Sequence, residues 1–398
     1  MTPAARAVTR AAGAVTPAAG AVTRAAGATT PALRVTTSAL RVRATVLPEA
    51  ERGEFFVVDG QISFDRPVNS DVQLVADHGF ALPGLVDAHC HVGIAAAGGV
   101  PIEEAREQAI TDRGAGALLL RDAGVPETHY LLDDEPDLPR IVHAGRHLAR
   151  PRRYIRGYAL ELEPAQLPDA AAAQAVLPGG ASTPWVKIVG DWIDREIGDI
   201  TPLWRADVLI EAVRRVHEAG ARVGVHVFGE EALPDLIAAG VDSIEHGTGL
   251  DASMLDDVAR RGIAVVPTMV MVSLFDSFAD QATKYPMYAA RMRRLKRSAA
   301  ARMMATYDAG VPIYVGTDAG GHLPHGLAVD EMLAMHGVGM PAFEVLAAGS
   351  WKARQWLGLP GIVEGAPADF VVYDDDPRID LNVLRNPRHI VVRGAVVR

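Results

Sequence analysis

The sequence predicts an α/β protein: a (β/α)8 barrel of the TIM type, inserted into a small composite β-sandwich domain formed by both chain ends. Three observations predict it. The middle of the chain repeats a unit of helix, glycine and short apolar strand. Residues able to do chemistry fall where those strands end. Strand-like segments stand at both ends of the chain, outside the repeating part.

Taken in order, residues 7–34 form a degenerate seven-residue repeat, AVTRAAG, AVTPAAG, AVTRAAG, ATTPALR. Heptad length suggests a coiled coil, but glycine and proline within the units break helices. Residues 1–36 are therefore expected to be a disordered Ala/Gly/Thr tail. From Leu40 to about Leu82 the chain reads as strands at Leu40–Val46, Phe55–Val58 and Val72–Val75, with Asp59-Gly60 as a hairpin turn signal. Strand character resumes at Phe370–Tyr373 and His389–Arg393. Residues 37–82 and 352–398 are assigned to the composite β domain, and residues 83–351 to the barrel.

The barrel opens with the apolar run Leu82–Ala88, entered through Pro83-Gly84 and ending in His89-Cys90-His91. Two histidines two residues apart on a strand share a face, so both imidazoles can grip one metal ion. Cys90 faces the other way and is expected to pack in the core. Four more ligand types follow on apolar runs: Lys187 in Trp185–Gly190, His226 ending Val223–His226, His246 in Ser243–Thr248, and Asp318 in Ile313–Gly320. Helical spacing marks Asp207–Ala219, Glu231–Ala239, Asp251–Arg261 (with Asp251 as an N-cap) and Met287–Ala309. Gly220, Gly240, Gly262 and Gly310 follow as the expected C′ residues. Arg291, Arg293, Arg294, Lys296, Arg297 and Arg302 on the last helix read as a solvated outer face.

Composition narrows the function. A chain of 398 residues, 49% hydrophobic, can build a large barrel and a small domain. A net charge of −10 argues against nucleic acid and anionic membranes. A single cysteine excludes an internal disulfide, and no apolar run reaches bilayer length. The expectation is a cytoplasmic protein with a small-molecule substrate, a homo-oligomer being left open.

On these motifs the chain resembles the amidohydrolase superfamily. It looks most like the imidazolonepropionase-like branch that also holds metal-dependent Xaa-Pro dipeptidases. The resemblance runs from about Leu40 to the C-terminus. It covers Pro83-Gly84-Leu85-Val86-Asp87-Ala88-His89-Cys90-His91, Lys187, His226, His246, Gly316-Thr317-Asp318-Ala319-Gly320 and the tail Gly361–Tyr373. It implies two divalent ions, zinc by donor type. His89, His91 and Asp318 would hold the buried ion, His226 and His246 the second, and a carbamate on Lys187 would bridge them. Imidazolonepropionase proper is a one-metal enzyme without this lysine, so Lys187 points to the two-metal, peptidase-like group.

The implied reaction is hydrolysis of a C–N bond in a small molecule, a dipeptide or N-acyl amino acid, by a metal-bridging hydroxide. Asp318, Lys187 and His246 are the catalytic set, Asp318 taking and returning the proton. His143, Arg146, His322 and His325 are the expected substrate contacts. Arg146 and Arg195 could grip a free carboxylate, and Trp192, Trp204, Met269, Met271 and Phe275 could offer apolar walls. Hydrolysis of a cyclic amide, imidazolone, lactone or phosphotriester, ring deamination, and a catalytically dead scaffold are the competing readings.

Overall fold

The computed structural model describes residues 38–68 and 71–398, and these belong to one compact unit. The seven-residue repeat, expected to be disordered, lies outside the described residues.

Both ends of the described chain meet in one hydrogen-bonded sheet of eight strands. Its order is Ala395–Val396, His389–Val392, Phe370–Tyr373, Phe80–Pro83, Ser38–Val46, Glu51–Val58 and Gln61–Ser63, with Asp71–Ala76 also paired to Ser38–Val46. Phe370–Tyr373 runs antiparallel to Phe80–Pro83, with Val371 opposite Leu82. Alternation buries one face: Val42, Phe55, Phe370 and Val391 pack together, and the rings of Phe55 and Phe370 meet edge-on at 5.1 Å. Each such side chain contributes about 1.5–3 kcal/mol on burial.

Asp59 and Gly60 have φ of 50° and 79°, as a tight primed hairpin turn requires. The turn joins Glu51–Val58 to Gln61–Ser63 and not to Val72–Val75. The latter segment instead pairs in parallel with Ser38–Val46.

Parallel strands carry the middle of the chain. Leu85–Cys90, Ala117–Asp122 and Arg140–His143 form one sheet. Leu148–Ala149, Trp185–Val189, Arg222–Val227, Ser243–His246 and Ala264–Val266 follow in a second, with Leu160–Glu161 at its edge. Bridges from Val265 to Ile313 and from Cys90 to Ala319 run the segment 313–319 in parallel between the last of these strands and the first. Helices cover the strands by their apolar faces. Ala206–Glu218, for example, buries Leu209, Ala212, Val213 and Val216 against Val223 and Val225.

Gly220, Gly240, Gly262 and Gly310 all have positive φ, which ends each helix in a left-handed turn into the next strand. Asp251 accepts a hydrogen bond from the Ser253 N–H, a cap that contributes about 1 kcal/mol. Because the strands are parallel, their carboxyl ends lie on one side. The cysteine between the two histidines is buried, with Sγ 3.8 Å from the Arg121 carbonyl oxygen.

The basic helix Pro286–Asp308 corrects one expectation. Arg291 donates to Asp199 at 2.9 Å and to Glu231 at 2.7 Å, while Arg294 and Arg302 reach Glu230. These arginines tie the helix to segments beside the strand ends, a pairing that spacing on one helix cannot reveal. Among the described residues, no helix is long and apolar enough to cross a membrane.

Candidate metal centre and active-site cavity

The six donors foreseen on strand ends lie together. Asp318 Oδ1 is 3.3 Å from His89 Nε2 and 2.9 Å from His91 Nε2. The donor atoms of these three residues all fall within 4.8 Å of one another. Lys187 Nζ is 3.4 Å from His89 Nε2, and His226 Nδ1 is 3.0 Å from His246 Nε2. The rings of His89 and His246 join the two groups at 5.0 Å.

Each inner nitrogen is aimed by what its ring does on the other side. His89 Nδ1 lies 2.8 Å from Glu245 Oε2. His91 Nδ1 donates to the Gly124 carbonyl at 2.7 Å, and His246 Nδ1 pairs with Thr268 Oγ1 at 2.7 Å. Such outer partners fix ring orientation and leave the inner nitrogen lone pair for an ion.

Three residues of the site hold left-handed backbone: His246 at φ 67°, Thr268 at 48° and Asp318 at 60°. Each non-glycine residue there costs about 1–3 kcal/mol. Strand alternation accounts for His246. Glu245 already faces inward to Arg121 and His89, so an undisturbed strand would turn His246 outward. The left-handed residue brings it back.

The electrostatics suit a cation-binding floor. Glu245 accepts two hydrogen bonds from Arg121, at 2.7 and 2.8 Å, and one from Ser243 Oγ at 2.8 Å. Arg121 is stacked over the Trp185 ring at 4.5 Å. Burial pushes the Glu245 carboxyl up, but Arg121, Lys187 and His89 outweigh it and hold it well below the usual range.

Asp318 is likewise pushed up by burial and pulled further down by His89, His91 and His246, so it is an anion. Burial lowers Lys187, Glu245 opposes, and Arg121 assists; the result is about 8. Burial keeps His226 and His246 well below their ordinary value, hence neutral, as metal ligands must be. Neutral imidazoles, one carboxylate and one lysine amine therefore fit divalent cations.

Beside the donors lies a cavity of about 310 Å³. His91, His226 and Asp318 line it at the donor side, and Tyr154, Tyr158, Trp192, Phe228, Met271, Phe278 and Tyr288 form its walls. No arginine or lysine is among its lining residues.

Of the foreseen substrate contacts, His322 lines the cavity, its ring 5.3 Å from Phe278. His143, Arg146 and His325 do not. His143 Nε2 is 3.0 Å from Asp133 Oδ1, with Asp122 on its other side at 3.7 Å. Burial alone would lower this histidine, but the two aspartates raise it to about 9. Arg146 donates to the Tyr158 carbonyl at 3.2 Å, and His325 pairs with Asp112 at 2.7 Å. Arg195 lines a separate polar cleft with Arg150, Arg152 and Glu163.

Trp192 and Met271 are wall residues as foreseen. Trp204 is buried and donates to the Val189 carbonyl at 2.7 Å, Phe275 stands behind Phe228 at 4.8 Å, and Met269 borders another cleft. The strand Arg140–His143 ends short of the donors. The chain resumes strand pairing at Leu148–Ala149, so the residue carried beside the donors is His147. Tyr154, Tyr158 and Phe228 went unnoticed because they lie on connecting segments without a spacing rule, and Phe278 and Tyr288 because a position on the helices Phe275–Gln281 and Pro286–Asp308 does not tell which cavity a side chain faces. Glu245 and Arg121 could have been found as charges within apolar strand runs.

Comparison with known proteins agrees with this architecture. The amidohydrolase family model matches residues 182–397. An uncharacterized protein of Mycobacterium tuberculosis is 50% identical over 353 residues, covering 88% of this chain and 94% of its own length. Ochratoxinase of Aspergillus niger is 26% identical over 189 residues, 45% of this chain and 39% of that enzyme. Among solved structures, a Xaa-Pro dipeptidase with bound methionine superposes with a TM-score of 0.75 at 22% identity, over 90% of this chain and 100% of that one. This chain belongs to the amidohydrolase family, and it is a hydrolase acting on carbon–nitrogen bonds.

Proposed function

We propose that this protein hydrolyses the amide bond of a small molecule, using two divalent ions held by His89, His91, Lys187, His226, His246 and Asp318. The observation that carries this reading is the convergence of those six donors, five of them buried and Asp318 partly so, beside an aromatic cavity. His89, His91 and Asp318 hold one ion; His226 and His246 hold the other. The Lys187 amine, when neutral, could add to the carbon of carbon dioxide with release of one proton, and the resulting carbamate would offer oxygen donors beside His89. When bound, the ions, zinc by donor type, would supply an activated water and polarise the substrate carbonyl.

Asp318, anionic and beside the histidines, takes the proton of the attacking water and delivers it to the departing nitrogen. Arg121 and Glu245 keep His89 fixed while this happens. We read the circuit of parallel pairings as a closed (β/α)8 barrel over residues 83–351, with the shared sheet of residues 37–82 and 352–398 attached to it.

The substrate class follows from the walls. Tyr154, Trp192, Phe228 and Phe278 suit an apolar side chain, as in a dipeptide or N-acyl amino acid of Phe, Leu or Met. The structural neighbours support amide substrates: a Xaa-Pro dipeptidase with methionine in its active site, a prolidase with N-methylphosphonate-L-proline, and ochratoxinase. With Arg146 and Arg195 outside the cavity, a free carboxylate has no two-pronged partner there, so apolar bulk governs selection.

The test is metal analysis joined to a screen of N-acyl amino acids and dipeptides. The purified chain is expected to carry close to two divalent ions, to lose activity to a strong chelator and to regain it with zinc. Full activity with one ion would overturn the two-ion reading. Activity confined to lactones or phosphotriesters would overturn the amide reading.

A further inference from the structure

We propose that Glu331 is a positioning residue for the ion site of His226 and His246: it caps the backbone after Thr268 and so leaves the Thr268 hydroxyl to fix His246. The inference rests on the two-ion reading above. Glu331 lies on the helix Ala328–Gly337 and is fully buried. One carboxyl oxygen accepts from the Met269 N–H at 2.7 Å, the other from the Val270 N–H at 2.8 Å. Burial pushes this carboxyl up to about 8 against the pull of the two N–H groups, and no arginine or lysine assists them. The folded chain keeps an acid here at a cost, and what the acid grips is one short stretch of backbone.

The local sequence explains why that stretch needs an outside acceptor. The strand Ala264–Val266 leads through Pro267 to Thr268, which precedes the short helix Met269–Val272. A threonine in that place ordinarily turns its hydroxyl onto an N–H two or three residues ahead. Thr268 makes no such bond. Its Oγ1 lies 2.7 Å from His246 Nδ1 instead. The capping role passes to Glu331, whose two oxygens take the first two N–H groups of the helix together.

The backbone shows what is being held. Thr268 is fully buried at φ 48°, a left-handed turn that a β-branched residue keeps only under outside constraint. Its carbonyl accepts from the Val272 N–H at 3.0 Å, and Glu331 fixes the two peptide groups that follow it. Relaxed to an ordinary conformation, Thr268 would swing its hydroxyl away from His246.

The line of support therefore runs from Glu331 to the backbone at Met269 and Val270, to Thr268, and to His246, whose Nε2 is 3.0 Å from His226 Nδ1. His89 and His91 are aimed by other groups, Glu245 and the Gly124 carbonyl. Loosening Glu331 should thus be felt at one ion site and not at both.

Glu331→Gln tests the proposal, because the amide can accept one N–H but turns a donor toward the other. Zinc titrated into the metal-free full chain should bind in two steps, and the step lost in His226→Ala marks the site of His226 and His246. In Glu331→Gln that step is expected to weaken about 10–100-fold, the usual effect of losing an outer partner, with the other step within about threefold of the wild type. Its kcat should drop at limiting zinc and return at excess zinc. Thr268→Val keeps the shape, removes the hydroxyl and should weaken the same step. The double variant should be no worse than the worse single one, since both act along one line. A merely structural Glu331 would lower Tm and leave both steps unchanged, and that result would overturn the proposal. Equal weakening of both steps, or fully additive losses in the double variant, would overturn it too. If Glu331→Gln does not melt cooperatively, Glu331→Asp takes its place, and a loss of at least about threefold confined to the same step is expected; no loss there would overturn the proposal. Wild-type protein with fewer than two zinc steps would overturn the two-ion reading, and this inference with it, before any variant is compared. Wild-type protein that binds two ions and cleaves no amide would overturn the amide reading alone.

Discussion

His89, His91 and His246 stand at the ends of parallel strands and are held from behind by buried partners: Glu245 for His89, Gly124 for His91 and Thr268 for His246, with Arg121 behind Glu245. Tyr154 comes from a connecting segment, Trp192 from the short strand Asp191–Asp194, and Phe278 and Tyr288 from the helices Phe275–Gln281 and Pro286–Asp308; the rings of Tyr154 and Trp192 meet edge-on at 4.7 Å. The donor floor is thus over-determined, whereas the wall is assembled from pieces that can change one at a time. On the proposed function, chemistry belongs to the first region and selectivity to the second. Substitutions in the two should therefore fail in different ways.

The largest effect is expected at Asp318. Asp318→Asn keeps the shape and removes the proton acceptor, so kcat should fall on the order of 10²–10⁴ with KM little changed. A change confined to KM would move Asp318 from the floor to the wall. Lys187→Ala should lose ions as well as rate, and Lys187→Arg should not restore them, because arginine offers no neutral amine. Near-normal metal content in Lys187→Ala would make the lysine structural and blur the contrast.

His143 tests whether every strand-end histidine belongs to the floor. Its pKa is raised to about 9 by Asp122 and Asp133 despite burial. A raised folded-state value stabilises fully below the unfolded value of about 6.5 and is lost as pH climbs through 9. Unfolding free energy in urea should therefore drop by about 3 kcal/mol at most between pH 6.5 and 10, and His143→Gln should flatten that slope while retaining its ions. An unchanged slope would remove the aspartates as the cause.

The smallest effect lies in the wall. Phe278→Ala should cost about tenfold in kcat/KM on substrates with a large apolar group and little on small ones, with metal content unchanged. Equal losses on both would show that the wall also orders the floor.

The same contrast explains what could be read in advance. The donors were legible because strands impose a period of two and parallel strands align their ends, so His89, His91, Lys187, His226 and His246 announce themselves by position. Helix ends were legible through Gly220, Gly240, Gly262 and Gly310, where only a left-handed residue closes the turn. Tyr154, Phe278 and Tyr288 obey no such period. His147 was missed because a four-residue bend parts Arg140–His143 from the pairing that resumes at Leu148–Ala149. The partner of Arg291 was missed because Asp199 is close only in space. Arg146 looked like a ligand grip from its neighbours in sequence, but its guanidinium is spent on the backbone at Tyr158.

The pairing of Phe370–Tyr373 with Phe80–Pro83 has a consequence in time. A ribosome releases Ser38–Pro83 well before Phe370–Val396, so the inner strand of the earlier half waits through synthesis of the whole intervening segment for its neighbour. Until then its backbone donors and acceptors form an open edge able to recruit another nascent chain. A stop codon just before Phe370 would leave every candidate metal ligand encoded, yet would make that vulnerability permanent.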